Sequence, residues 1–291
     1  MKVLVPRHSG LCPGVKTAEK EIFRQRENSG GAIYVFGELI HNKSYISHLR
    51  DNDIITARER SEIPPGAVTA IRTHGMDRGE EEQLRKSFEV IDLTCVKVKK
   101  LQELIRGFSD NGYHIVIAGK KDHPEVLGLI SYAESFTVIE NLRELDEYTG
   151  GLGEGKGYGK IAVVSQTTSP EELFDAVCAK IGAALPVGVE FKAVNSICPV
   201  TTLREQCAIG LQDGADITFV IGDEKSSNSK KLFEILKRRS DNTWFVEDLD
   251  GVKKVLSGGM ELRPEMTALV VSSSSTPAFV EQKIRDFLLN I

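Results

Sequence analysis

The sequence predicts an α/β fold of three pseudo-symmetric modules around a central cavity, and three observations carry that prediction. Three cysteines, Cys12, Cys95 and Cys198, each follow a short strand and lead straight into an amphipathic helix. A polar cluster returns at a nearly constant distance after each of them: His41, His123 and Ser226 lie 29, 28 and 28 residues downstream (41 − 12, 123 − 95, 226 − 198). A later strand in each third then ends in a second polar group. Repeats on this scale are tested before a fold is named, because a missed repeat misassigns the whole architecture.

In chain order, Val3-Leu4-Val5 precedes Cys12, Val90 to Leu93 precedes Cys95, and Ala193-Val194 precedes Cys198. The helices that follow are expected at Pro13 to about Glu27, Val96 to about Asn111 and Pro199 to about Asp213; the middle one aligns Leu101, Leu104, Ile105 and Phe108 on one face. Each helix returns to a continuous apolar run, Ala32–Phe36, His114–Ala118 or Ile217–Ile221, as expected of parallel strands covered on both faces. The last strands, Val68–Ile71, Ile161–Val164 and Ala268–Val271, end at Thr73-His74-Gly75, Ser165 to Thr168 and Ser272 to Thr276. Ligands of open parallel sheets bind beyond the carboxyl ends of the strands, where all nine features fall. The boundaries read as residues 1–95, 96–194 and 195–291.

Local signals agree. Ser169-Pro170 and Thr276-Pro277 read as N-caps followed by Pro at the first helical position. Helix N-termini are expected immediately after Ser226 and Ser275. The run Gly150–Gly159 precedes a strand instead of following one, so it reads as a flexible surface connection and not as a phosphate loop.

The 291 residues are 41% hydrophobic and 27% charged, which is ordinary globular material, and the net charge of −5 argues against nucleic acid as the main partner. The basic runs at Lys97, Lys99 and Lys100 and at Lys230-Lys231 read as solvated helix faces. The N-terminus has no apolar core of signal-peptide length and no membrane-spanning segment is evident, so a cytoplasmic location is expected.

The five cysteines form no C-x-x-C pair. Cys178 shares a stripe with Leu173, Phe174, Val177 and Ile181 and reads as core; Cys207 lies four residues from both Leu203 and Leu211 and also reads as packing. Cys12, Cys95 and Cys198 stand where helix dipoles stabilise thiolates. By spacing alone they suit an iron–sulfur cluster, a zinc ion, or nothing shared. Zinc normally takes tighter local spacings, and a cubane usually takes four cysteines, so three would leave one iron open. His41, His74, His123, Ser226, Ser227, Asn228 and Ser275 offer hydrogen-bond donors with little fixed charge, as an oxyanion such as a diphosphate requires. Glu125, beside His123 and Pro124, is the natural proton donor.

Taken together, Gly10 to Val15, Leu39 to Asn42, Thr73-His74-Gly75, Thr94-Cys95, His123-Pro124-Glu125-Val126-x-Gly128, Ser165 to Thr168, Ile197-Cys198, Ser226 to Ser229 and Ser275 to Pro277 resemble the hydroxymethylbutenyl diphosphate reductases, the IspH/LytB family. The resemblance covers nearly the whole chain, in order. It implies a trefoil of α/β modules around a 4Fe–4S cluster held by Cys12, Cys95 and Cys198, with one iron open. The implied reaction is reductive removal of an allylic hydroxyl, giving isopentenyl and dimethylallyl diphosphate in the methylerythritol phosphate pathway. It assigns the diphosphate to His41, His74, His123, Ser226, Ser227, Asn228 and Ser275, proton relay to Glu125, and positioning of the hydroxyl to Thr167. Electrons would come from ferredoxin or flavodoxin, since no flavin or nicotinamide fingerprint is present. The chain departs from the family pattern at Val96, at Pro199-Val200 and at Ser273-Ser274. A divergent paralogue acting on another allylic substrate, a non-enzymatic iron–sulfur sensor and a zinc hydrolase are the rival readings.

Overall fold

The computed structural model describes residues 1–152 and 158–291. The run Gly150–Gly159 therefore lies partly outside the described residues, and its first glycines belong to a helix instead of a connection. Among the described residues the twelve strands form three four-stranded parallel sheets, accompanied by eleven α-helices. The chain divides into two compact units, residues 1–63 with 199–291, and residues 64–198.

The first unit contains β1 (Lys2–Leu4), α1 (Pro13–Ser29), β2 (Ile33–Phe36), α2 (Lys43–Arg50) and β3 (Ile54–Ala57). The second runs through β4 (Val68–Ile71), α3 (Arg78–Ser87), β5 (Glu89–Asp92), α4 (Val96–Asp110), β6 (His114–Ala118), α5 (Pro124–Ile130), β7 (Phe136–Ile139), α6 (Leu142–Leu152), β8 (Lys160–Ser165), α7 (Glu171–Ala184) and β9 (Glu190–Ala193). The chain then returns to the first unit with α8 (Pro199–Gln212), β10 (Ile217–Ile221), α9 (Ser227–Arg239), β11 (Thr243–Val246), α10 (Leu249–Ser257), β12 (Thr267–Ser272) and α11 (Ala278–Leu289).

The continuous apolar strands are explained by two-sided burial. In the second unit, alternate residues of β6 and β8 point to opposite faces. Val116, Ala118, Ile161 and Val163 pack with Leu145, Phe174, Val177 and Ile181 of α6 and α7, while Ile115, Ile117, Ala162 and Val164 pack with Leu101, Ile105 and Leu129 of α4 and α5. The first unit repeats the layout: Phe219, Ile221 and Val270 meet α10 and α11, and Val220, Leu269 and Val271 meet α8 and α9. Each Val, Leu, Ile or Phe among them contributes about 1.5–3 kcal/mol by burial.

The order of the sheets shows what each cysteine-bearing strand does. In the second unit it is β7-β6-β8-β9, with β9, the strand before Cys198, on the edge beside β8. In the first unit it is β11-β10-β12-β1, so the strand before Cys12 sits in the equivalent place beside β12. β5, the strand before Cys95, pairs with β4 in the same manner. Each cysteine strand thus closes the sheet beside the strand bearing the second polar ending. β1 joins strands more than 200 residues away in sequence, because both ends of the chain meet in one sheet.

Four local expectations need correction. Pro170 and Pro277 are themselves the N-cap residues, with extended backbone, so α7 and α11 start one residue later than the Ser-Pro and Thr-Pro signals suggest. The Thr276 hydroxyl donates to the Ile221 carbonyl at 2.8 Å instead of capping α11, and that helix begins three residues past Ser275, not immediately after it. The buried face of α8 is Thr201, Arg204, Ala208 and Gln212, while Leu203 is 44% exposed, so Cys207 is only half-buried and does not sit in a Leu203–Leu211 stripe. Lys231 is not a solvated lysine: its side chain is largely covered and pairs with Glu205 at 3.0 Å.

Candidate active site

The sequence leaves the cysteine positions without ordinary helix caps. Cys12 and Cys95 occupy the N-cap positions of α1 and α4 and make no side-chain capping bond, where Ser or Asp would contribute about 1 kcal/mol. Cys198 directly precedes α8. None of the five cysteines is in a disulfide and all five are half-buried, these three at helix N-termini. Cys178, itself half-buried, packs against the β6–β8 core, and burial, with Asp175 nearby, pushes its thiol up to about 11.

The backbone fixes the three cysteine loops alike. The N–H of Cys95 donates to the Thr73 carbonyl at 3.0 Å and that of Cys198 to the Thr167 carbonyl at 2.8 Å, both beyond the neighbouring strand. In the first unit the Gly10 N–H donates to the Ser272 carbonyl at 3.2 Å, two residues before Cys12. Edge-strand pairing therefore continues past each sheet end and sets each cysteine beside a polar terminus. Within the described residues there is no group of three His, Cys, Asp or Glu side chains that could hold a metal ion.

In the second unit Glu125, Thr167, His123 and His74 form one contiguous group. Glu125 is 2% exposed, and both of its oxygens are engaged by a single residue: Thr167 N–H donates to Oε1 and Thr167 Oγ1 to Oε2, each at 2.7 Å. Burial raises the pKa of this carboxyl, and the two Thr167 donors offset only part of that effect. The group therefore holds its proton to higher pH than an exposed glutamate. His123 caps α5, its Nδ1 accepting from the Glu125 N–H at 3.1 Å, so in the neutral ring the proton sits on Nε2. The His74 ring lies edge-on to His123 with centroids 5.4 Å apart. Gly128 lets α5 lie close against the Met76 backbone, since a Cβ there would lie 3.0 Å from the Met76 carbonyl oxygen. The adjoining turn also depends on Gly75, at φ +73° and packed against Gln102.

The first unit holds the other polar group. Ser226 caps α9 by accepting from the Ser229 N–H at 3.3 Å, and Ser275 Oγ donates to Ser226 Oγ at 3.2 Å. Asn228, 5% exposed, uses Oδ1 to accept from Ser274 N–H at 3.2 Å, Ser274 Oγ at 3.1 Å and Arg204 Nη1 at 3.4 Å. Those three donors fix the orientation of the amide through its oxygen and are not shared with its NH₂. Ser227 is the first residue of α9. His41 Nδ1 bonds Glu38 at 2.8 Å, and Lys225, next to Ser226, approaches the same carboxylate at 3.5 Å. Burial would raise Glu38, yet His41 and Lys225 together hold it below the usual carboxylate range.

Both serines that depart from the family pattern have structural employment. Ser273 is fully buried and bonds Ser275 and Thr276 at 3.1 Å each, while Ser274 clamps Asn228. Sequence reasoning missed Ser274, Arg204 and the pairing of Glu38 with His41. The i, i+3 spacing of Glu38 and His41 was the available signal for the last; nothing local marks Arg204.

The LytB protein family model matches residues 3–289. The 4-hydroxy-3-methylbut-2-enyl diphosphate reductase of Clostridium perfringens is 32% identical over 97% of this chain and 96% of its own length. The enzyme of the same name from Aquifex aeolicus is 29% identical over 99% and 96%. Among solved structures, one titled (E)-4-hydroxy-3-methyl-but-2-enyl diphosphate reductase, the terminal enzyme of the non-mevalonate pathway, matches with a TM-score of 0.73 and 29% identity, covering all of both chains. A Plasmodium falciparum reductase structure shares the fold at a TM-score of 0.85 and 23% identity, over 99% of this chain and 87% of that one.

Proposed function

The chain belongs to the LytB family, and from that premise we propose that it reduces (E)-4-hydroxy-3-methylbut-2-enyl diphosphate to isopentenyl and dimethylallyl diphosphate. Two electrons and two protons convert the allylic C–OH to C–H and release water. Family membership implies an iron–sulfur cluster, and the residues fit one: two helix starts without a side-chain cap, at Cys12 and Cys95, and the Cys198 loop directly before α8 each carry a half-buried cysteine on a backbone-paired loop. Cys12, Cys95 and Cys198 would hold a 4Fe–4S group with one iron open. Such a group supplies electrons singly and a Lewis-acidic site for the substrate hydroxyl. The threefold division of the chain at 95 and 194 belongs to the same proposal, each third contributing one cysteine and two polar endings.

The observation that carries the reading is the Glu125–Thr167 pair. A proton donor to a departing hydroxyl acts from its protonated form, and burial favours that form of Glu125 by raising its pKa. Thr167 holds both carboxyl oxygens and keeps its own hydroxyl beside the acid, so it orients the proton and the substrate oxygen. The Asn228 amide, the Ser226–Ser275 hydroxyls, Ser227, His41, His74 and His123 bind the diphosphate through hydrogen-bond donors. Ferredoxin or flavodoxin delivers the electrons.

Anaerobic turnover of the diphosphate substrate by cluster-loaded protein with a reduced one-electron donor tests this. Glu125→Gln is expected to lower turnover about 10²–10⁴-fold with iron and sulfide content unchanged. A loaded enzyme without product, or an undiminished Glu125→Gln variant, refutes it.

A further inference from the structure

Among the described residues Arg204 is the largest fully buried side chain, 2% exposed on a helix whose leucine neighbour Leu203 is 44% exposed. A buried arginine is costly unless its donors are spent, and here they are spent on a particular pair of targets. Nε donates to the His8 carbonyl at 2.8 Å and Nη2 to the Gly10 carbonyl at 2.6 Å, grasping the loop that ends at Cys12. Nη1 reaches Asn228 Oδ1 at 3.4 Å. The loop is held from its other side by Ser9, which donates to Glu281 at 2.5 Å and accepts from the Ser272 N–H at 2.8 Å. Gly10, at φ +77°, turns its carbonyl toward the guanidinium.

We propose that Arg204 is a positioning residue that makes the Cys12 loop and the Asn228 amide one mechanical unit, coupling the cysteine's placement to occupancy of the diphosphate site. The planar fork meets two carbonyls two residues apart and a third acceptor from three separate nitrogens, a span that the single ammonium nitrogen of a lysine does not reproduce. Because Asn228 Oδ1 is drawn toward Arg204 and Ser274, its NH₂ is aimed at the ligand. The proposal rests on the reading of Asn228 as a diphosphate ligand.

The test uses full-length protein under anaerobic conditions and inorganic diphosphate as the probe. Calorimetry of the cluster-loaded protein measures diphosphate affinity, and peptide mapping after timed N-ethylmaleimide treatment of the metal-free protein measures the labelling rate of each cysteine. Arg204→Met is expected to weaken diphosphate binding at least about 10-fold and to accelerate labelling of Cys12 by a similar factor, with Cys95 and Cys198 unchanged. Diphosphate added to the unsubstituted protein slows Cys12 labelling, and this protection disappears in the variant. Equal acceleration at all three cysteines marks a merely structural arginine and overturns the proposal, as does an unchanged Cys12 rate. If Arg204→Met does not fold, Arg204→Lys is read in the same assays, and unaltered affinity and Cys12 labelling there overturn it. Failure of the unsubstituted protein to bind diphosphate defeats the diphosphate reading itself, and the coupling with it.

Discussion

Replacing Glu125 by Gln should change stability in a way that depends on pH, and the dependence follows from the burial of this side chain. Gln is isosteric and keeps both contacts: its oxygen accepts from the Thr167 N–H, and its NH₂ donates to the Thr167 hydroxyl, which reverses its role. At pH 4, where the carboxyl is protonated folded and unfolded, the two proteins should agree within about 1 kcal/mol. Above the unfolded value of 4.5 the unfolded chain releases this proton while the folded chain keeps it. At this site the native state then binds more protons, so the contribution of Glu125 to wild-type stability falls as pH rises, by up to about 1.4 kcal/mol per pH unit, until the folded pKa is passed. The variant lacks this slope, so it gains on the wild type across that window and then runs parallel to it. Urea titrations at half-unit pH intervals from 4 to 8 on both full-length proteins measure the difference directly. Parallel stabilities throughout, or a variant that loses ground as pH rises, would refute the claim that burial outweighs the Thr167 hydrogen bonds. The same sign governs catalysis: wild-type turnover should decline on the alkaline side as Glu125 loses its proton.

Three further outcomes are expected. Cys12→Ser, Cys95→Ser and Cys198→Ser should each lower iron content after anaerobic reconstitution, whereas Cys178→Ser should not, since that thiol packs in the core with its pKa pushed up to about 11; colorimetric iron analysis decides. Ser226→Ala and Asp248→Ala each remove an N-cap and should cost about 1 kcal/mol by thermal denaturation, but only Ser226→Ala should weaken diphosphate binding in calorimetry. Gly128→Ala should raise KM by pushing α5 from the Met76 backbone and separating His123 from His74, and substrate saturation curves measure it.

Much of the design was readable in one dimension because it is written in local terms. Strand cores that are apolar on both faces, cysteines where caps would stand, and the 28–29 residue return of a polar cluster are properties of neighbouring residues and of spacing. Helix starts were misread by a residue where Ser169-Pro170 and Thr276-Pro277 imitate caps, since the Thr276 hydroxyl is claimed by β10. Leu203 and Cys207 misled because α8 turns Thr201, Arg204 and Gln212 inward, and whether an arginine can be buried depends on acceptors nearly 200 residues away.

The sequence by itself determined which residues can do the chemistry and on which secondary elements they ride, because residue type, periodicity and offset are properties of the chain alone. Tertiary structure decided what those residues are. Folding buries Glu125 and sets both of its oxygens on Thr167, 42 positions away, and the burial makes an ordinary carboxyl hold its proton to higher pH than it would in the unfolded chain. Dielectric environment and the direction of a donor depend on atoms that are neighbours in space and strangers in sequence, and for that reason no local pattern could have supplied them.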